Sequence, residues 1–206
     1  MSGPDVDFWQ ERFVTQRVPW DRGAPSPQLR AWIDGGQLSP QALNGPIAVP
    51  GCGAGHEVVE LAACGFQVIA IDYAPAAVAL TRERLAQAGL HAEVSQADVL
   101  SWQPETPLSA VYEQTCLCAL HPDHWSAYAQ QLYRWLRPAG RLCAMFMQMH
   151  REGAAQGLVE GPPYHCDINA MRALFPSQRW HWPKPPYEQV AHPMGMNELA
   201  VLLTRL

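Results

Sequence analysis

The chain has 206 residues, with 14 basic and 19 acidic side chains, a formal net charge of -5 and a pI near 5.9. Such an acidic chain offers no electrostatic footprint to nucleic acid or to an anionic membrane surface, no stretch is long and apolar enough to span a bilayer, and the polar start is unlike a secretory signal. The length suits one domain with a substantial core, so a small-molecule partner and a cytoplasmic setting are expected, with the oligomeric state left open.

The predicted elements begin with a helix over 6–14 carrying Phe8, Trp9 and Phe13 on its apolar side, followed by the loop Pro19-Trp20-Asp21-Arg22-Gly23. A second helix starts near Ser26-Pro27, where serine caps and proline takes the first helical position. Residues 1–35 thus read as an N-terminal helical cover. A strand at 46–50 then runs into Gly51-Cys52-Gly53-Ala54-Gly55, a helix follows over 55–63, and a second apolar strand at 66–71 stops on Asp72. This succession forms a nucleoside-binding βαβ unit. Glycine lets the backbone turn sharply and approach a ligand, and a carboxylate at the second strand tip accepts ribose hydroxyls. A dinucleotide fingerprint reads G-x-G-x-x-G; here the third glycine comes one residue early, and the unit looks like the first motif of class I S-adenosylmethionine-dependent methyltransferases.

The next helix opens at Pro75 and carries Val78 and Leu85, and strand three at 91–95 leads to Ala97-Asp98-Val99. Strand four, 109–113, ends at Glu113-Gln114. An amphipathic helix over 122–136 follows, with Trp125, Tyr128, Leu132 and Trp135 at helical spacing. The turn Arg137-Pro138-Ala139-Gly140 feeds strand five at 141–147. From 148 to 166 the chain is glycine-rich and irregular, long for a connection in a compact domain, and reads as a functional lid. A short helix over 167–175 precedes two terminal strands, 187–192 and 198–204, joined through Pro193-Met194-Gly195-Met196. The fold class is α/β: a single domain over 1–206 built on a mostly parallel, Rossmann-like seven-stranded sheet flanked by helices, with a C-terminal antiparallel hairpin.

Ligands of such sheets lie at the carboxyl ends of the strands, so Gly51, Asp72, Asp98 and Glu113 are expected to converge on one rim. Asp98 has two readings: with Val99 it takes the amine edge of an adenine, or it closes an Asx-turn. Glu113 and Gln114 either face the reactive end of a bound donor or form the polar end of a buried strand. Trp9, Phe13 and Trp20 are core residues or an aromatic cover that excludes water. The six cysteines show no Cys-x-x-Cys pairing and read as small buried side chains in a reducing compartment, with metalloid binding through Cys116 and Cys118 as the alternative. His56, His121, His124, His150 and His165 follow no metal-ligand spacing, so no metal is expected.

The order Phe8-Trp9, Phe13, Pro19-Trp20-Asp21-x-Gly23, Val49-Pro50-Gly51-Cys52-Gly53, Ile71-Asp72, Ala97-Asp98-Val99, Tyr112-Glu113-Gln114-Thr115-Cys116-Leu117-Cys118-Ala119-Leu120 and Gly161-Pro162-Pro163-Tyr164 resembles the thiopurine S-methyltransferase family over nearly the whole chain. The resemblance implies a class I methyltransferase that uses S-adenosylmethionine and releases S-adenosylhomocysteine, with the donor contacted by Phe13, Gly51, Asp72 and Asp98-Val99. Trp20, Cys52, Gly53, Tyr73 and Glu113 complete the expected donor site. Phe13 stands where the family more usually has tryptophan. Gln114 stands where thiopurine-methylating members carry arginine, which removes a cation suited to an anionic aromatic thiol.

The strand-four segment and the Pro-Trp-Asp loop look more like the thiol and halide methyltransferase branch, whose acceptors are small soft nucleophiles. Trp20, Gln114, Thr115 and Tyr164 are the expected acceptor pocket. No general base is assigned, because a thiol with a pKa near ~8.5 is already partly ionised at neutral pH. The alternatives are methylation of a halide, tellurite or an oxygen or nitrogen nucleophile, a nicotinamide-dependent oxidoreductase, and a non-catalytic S-adenosylmethionine-binding protein.

Overall fold

Ile47–Pro50 (β1) and Val68–Asp72 (β2) are buried along their whole length, the pattern of parallel strands covered on both faces. They pair in parallel from Ile47 opposite Val68 to Pro50 opposite Ile71. The computed structural model describes residues 3–149 and 151–206; His150, weighed above as a ligand, lies outside the described residues. Around β1 and β2 stand the helices Val6–Val14 (α1), Pro27–Asp34 (α2), Pro40–Leu43 (α3), His56–Ala63 (α4), Pro75–Ala88 (α5), Trp125–Trp135 (α6) and Ile168–Leu174 (α7). The remaining strands are Glu93–Gln96 (β3), Leu108–Gln114 (β4), Leu136–Gln148 (β5), Trp180–His181 (β6), Glu188–Ala191 (β7) and Asn197–Arg205 (β8).

The sheet runs β3-β2-β1-β4-β5-β8, with β6 and β7 on the far edge of β8. The first five strands are parallel, and β8 runs antiparallel to β5 from Thr204 opposite Arg141 to Asn197 opposite Gln148. Eight strands thus replace the expected seven among the described residues, because β6 and β7 share one edge end to end. The segment between them contains Pro183, Pro185 and Pro186, which have no N–H to give a ladder. Strand order reverses at β1, which has β2 on one side and β4 on the other, so the chains leaving β1 and β4 diverge and open a crevice.

Pleat alternation assigns the two faces. Ala48, Ile69, Ile71 and Val111 point toward α6 and α7, packing with Leu132, Trp135, Phe146 and Met171. Val49, Val68, Ala70 and Tyr112 point the other way, onto Leu29 and Trp32 of α2 and Val58 and Leu61 of α4. Ser26 caps α2 with Pro27 following it, and α5 starts on Pro75 and ends at Gly89 in the left-handed region.

Several boundaries differ from expectation. The helix over 122–136 begins as a 3-10 turn, Pro122–His124, and α6 stops at Trp135. Leu136 already faces Leu108 of β4, so the expected turn 137–140 becomes an irregular start of β5, with Ala139 at φ 61° and a register shift before Ala110. The four-residue α3 and two-residue β6 were not anticipated, being too short to display a period.

Candidate functional site

After β1 the chain turns at Gly51, whose φ of 61° places it in the left-handed region. A Cβ there would lie 3.0 Å from Cβ of Cys116, in the loop after β4, so glycine lets the two diverging loops meet. Across the turn, Asp72 Oδ2 accepts the Gly53 N–H at 2.8 Å and Oδ1 accepts the Ala74 N–H at 2.9 Å. A carboxylate has about four lone-pair sites, so the group keeps acceptor capacity beyond these N–H groups for a ligand hydroxyl. Burial pushes the Asp72 carboxyl above its usual range, and the backbone N–H groups oppose that shift. Asp98 Oδ1 accepts the Leu100 N–H at 2.9 Å, an Asx-turn that holds Asp98, Val99 and Leu100 against the same cavity.

The aromatic cover is built locally. Asp5 caps α1 by accepting the Phe8 N–H at 3.0 Å, and Gln10 Oε1 accepts the Ala76 N–H at 2.8 Å, tying α1 to the start of α5. No residue of α1 is fully buried; its aromatic side spans the cavity instead of entering the core. Trp9 and Phe13 meet Trp20 edge-on at 5.6 and 6.2 Å between centroids. The Pro-Trp-Asp loop is held by Asp21, whose Oδ1 accepts the Gly23 N–H at 2.7 Å and stands 2.9 Å from His56 Nε2 at the start of α4. His56 Nδ1 lies 3.2 Å from the Arg84 guanidinium. A guanidinium only donates, so Nδ1 is the acceptor of that pair.

Beneath this cover lies a cavity of about 630 Å³ with Gly51, Gly53, Asp72, Tyr73, Asp98 and Val99 in its floor. Its far wall is Met147, at the end of β5, with Pro162, Pro163, His192 and Met194. A smaller chamber of about 70 Å³ lies beside it, walled by Asp21, Arg22, Cys52, His56, Glu57 and Gln114. Phe13, Trp20, Gly51, Gly53 and Thr115 line both spaces and mark their junction.

Of the residues expected at the donor site, Phe13, Trp20, Gly51, Gly53, Asp72, Tyr73, Asp98 and Val99 therefore line the larger cavity, and Cys52 lines the chamber. Glu113 is a correction. It lines neither space, and its Oε1 accepts the Leu117 N–H at 2.6 Å, shaping the turn after β4. Burial first, and the nearby Glu198, raise its carboxyl to about 7 against the pull of the Leu117 N–H. Successive residues of a strand face opposite sides, and Glu113 points into the turn after β4 while Gln114 faces the chamber.

The acceptor-side expectations divide similarly. Trp20 and Thr115 line the larger cavity. Gln114 reaches only the chamber, and its amide is engaged at both ends: Oε1 accepts from the Tyr112 hydroxyl at 2.7 Å and Nε2 donates to Glu198 Oε2 at 2.8 Å. Tyr164 lines neither space; its N–H donates to the Cys118 carbonyl at 2.7 Å and its ring meets His121 edge-on at 5.4 Å, behind the wall made by Pro162 and Pro163. The wall residues Met147, His192 and Met194 were missed, since His192 and Met194 reach the cavity only through the pairing of β7 with β8. Cys116 and Cys118 also line it, and burial raises both thiols well above their usual range, so they stay protonated beside any electrophile. Among the described residues, no His, Cys, Asp and Glu group is placed to hold a metal.

A polar cluster joins the cover to the hairpin. Arg22 donates to the Ala191 carbonyl, and its guanidinium lies 3.5 Å from Oε2 of Glu198, which is wholly buried. Burial raises the Glu198 carboxyl from 4.5 to about 7, while Gln114 and Arg22 pull the other way; burial and Arg22 lower His192 to about 4. A raised carboxyl favours the fold fully below the unfolded value near 4.5, and that contribution is lost as pH rises to about 7. Glu198→Gln should therefore match the wild type near pH ~5 and gain on it up to neutrality, by roughly 3 kcal/mol at most. His192 acts in the opposite sense, between its usual 6.5 and about 4, and cancels in the comparison. Urea melts of both proteins across this range check the difference; a gap that does not change with pH refutes it.

The family model described as Thiopurine S-methyltransferase (TPMT) matches residues 4–201. The chain is 25% identical over 205 residues to the "Probable thiol methyltransferase 2" of Arabidopsis thaliana, covering 98% of this chain and 79% of the relative. It is 27% identical over 169 residues to "Thiocyanate methyltransferase 1" of the same plant, covering 81% of this chain and 70% of the relative. The crystal structure of magnesium protoporphyrin IX methyltransferase (ChlM) from Synechocystis PCC 6803 with bound SAH superposes with a TM-score of 0.75 at 14% identity, covering 98% of this chain and 97% of that one. That likeness establishes a common fold.

Proposed function

This chain belongs to the thiopurine S-methyltransferase family, and from that premise we propose that it transfers the methyl group of S-adenosylmethionine to a small soft nucleophile, a thiolate or hydrosulfide sulfur before others. The carrying observation is the division of the cavity: Asp72, Asp98 and Val99 stand in the floor suited to an adenosine, whereas the far wall is the two thioethers Met147 and Met194, two prolines and His192, neutral at physiological pH. These five side chains carry no charge and suit a polarisable acceptor. The names of the thiol and thiocyanate methyltransferase relatives agree with sulfur.

The chemistry is an in-line displacement. The acceptor's lone pair forms the new bond to the methyl carbon, and the old carbon–sulfur pair stays on sulfur to leave S-adenosylhomocysteine. A thiol releases its proton to solvent beforehand. Opposite charges cancel in this step, so rate comes from alignment and exclusion of water rather than from a base. The chain would work as one domain, with 1–35 as the cover over the donor and 148–166 closing the acceptor end. Among the described residues no helix is long and apolar enough to cross a membrane, and the six free cysteines suit the reducing cytoplasm.

The test is titration calorimetry with S-adenosylhomocysteine, followed by transfer of labelled methyl to hydrosulfide, an aliphatic thiol, thiocyanate, iodide, tellurite and a thiopurine. The sulfur nucleophiles should react fastest and the thiopurine slowly; tight binding without turnover on any acceptor would reject the enzyme. Trp20→Ala opens the junction to water, so turnover on hydrosulfide should fall on the order of 10- to 100-fold with a raised acceptor KM. Unchanged constants would remove Trp20 from the site.

A further inference from the structure

A donor whose adenosine was held at Asp72 and Asp98 and whose amino-acid end was held in the polar chamber would cross the junction between the two spaces. Phe13, Trp20, Gly51, Gly53 and Thr115 line that junction, and Thr115 brings its only hydroxyl. Thr115 also has a φ of 64°, the left-handed region that a β-branched residue avoids. An unfavourable conformation at a ligand junction points to a role there. The hydroxyl proton is committed: Thr115 Oγ1 donates to the Gln114 carbonyl at 2.6 Å, so the oxygen has only lone pairs to offer. The Thr115 carbonyl meanwhile takes a weak hydrogen bond from the Cys118 thiol at 3.5 Å, so both polar groups of the residue have fixed directions.

We infer that Thr115 is a positioning residue for methyl transfer, its left-handed backbone holding a proton-committed hydroxyl oxygen against the electropositive sulfonium methyl so that the carbon faces the Met147–Met194 wall. The contact is a weak C–H to oxygen hydrogen bond, and it matters through alignment, where small displacements have large effects on rate. The hydroxyl neither gives nor takes a proton during the displacement. This inference rests on the functional reading above.

Three variants of the full chain separate hydroxyl from backbone. Thr115→Val keeps shape and branching but removes the oxygen; kcat on hydrosulfide should fall on the order of 100-fold, with the Kd for S-adenosylhomocysteine within about threefold of wild type, since the product has lost the methyl. Thr115→Ser keeps the oxygen and should retain most of kcat. Thr115→Gly relieves the backbone conformation, so its melting temperature should rise while kcat stays low. Wild-type kcat in Thr115→Val, or a kcat loss matched by an equal loss of product affinity, overturns the inference. A lower melting temperature in Thr115→Gly overturns the claim that the turn is held against its preference. Wild-type protein that binds S-adenosylhomocysteine but methylates nothing rejects the functional reading, and this inference with it.

Discussion

Asp72→Ala is expected to abolish measurable binding of S-adenosylhomocysteine and to lower the melting temperature of the free protein. The two effects have separate causes. The carboxylate, only 7% exposed, takes the Gly53 and Ala74 N–H groups, one on each oxygen. Alanine leaves both donors unpaired in a mostly buried place, at about 1–3 kcal/mol for each. It also removes the acceptor for the ribose hydroxyls, and a charged hydrogen-bonding group lost from a desolvated site lowers affinity on the order of 100-fold or more. Asp72→Asn separates the two roles: its oxygen satisfies one N–H while its NH2 confronts the other, so the fold suffers less than in the alanine variant but the bidentate ribose site is still lost. Wild-type affinity in both variants, measured by calorimetry, would remove Asp72 from the donor site.

Gly55→Ala is expected to destabilise the fold strongly. Gly55 precedes α4 at φ 78°, and an added Cβ would lie 2.7 Å from Thr81 Oγ1 and 3.0 Å from both Cα and Cβ of Thr81. The hydroxyl cannot swing away without loss, since it donates to the Gly53 carbonyl at 3.0 Å and lies 3.5 Å from Cys52 Sγ. The Thr81 backbone cannot yield unless α5 moves off α4. Overpacking and the left-handed backbone together give about 3 kcal/mol or more, or roughly 6–12 °C in melting temperature for a chain of this size. Gly65→Ala is the control, because Gly65 has a similar φ of 83° with nothing within 4 Å of an added Cβ. It should lose only the backbone part, about 1 kcal/mol. Equal melting temperatures for the two variants would show that the contact with Thr81 contributes nothing. The early third glycine thus has its physical reason in helix packing beside the donor turn.

The cavity floor was legible because its determinants are local. Gly51, Gly53 and Asp72 lie within one βαβ unit, and the apolar runs that form β1 and β2 place them on adjacent strand tips. Asp98 was legible as an Asx-turn, and that turn also sets it against the cavity. The rest of the cavity was legible only in part. Thr115 and Trp20 reach it, but Gln114 is held by Tyr112 and Glu198, and Tyr164 supports the wall from behind. Glu113 lines neither space because its carboxylate is taken by the Leu117 N–H of the turn after β4.

Sequence by itself determined the glycine turn, the acid that answers it and the alternation of strands and helices, because each follows from φ preference, strand periodicity or capping between near neighbours. Only the tertiary structure decided what closes the far end of the cavity. Met147, His192 and Met194 come together because β8 pairs with β5 on one side and β7 on the other, and Gln114 turns away because its partner Glu198 lies on that same distant strand. Side-chain direction there depends on hydrogen-bond partners remote in sequence, which no local pattern specifies.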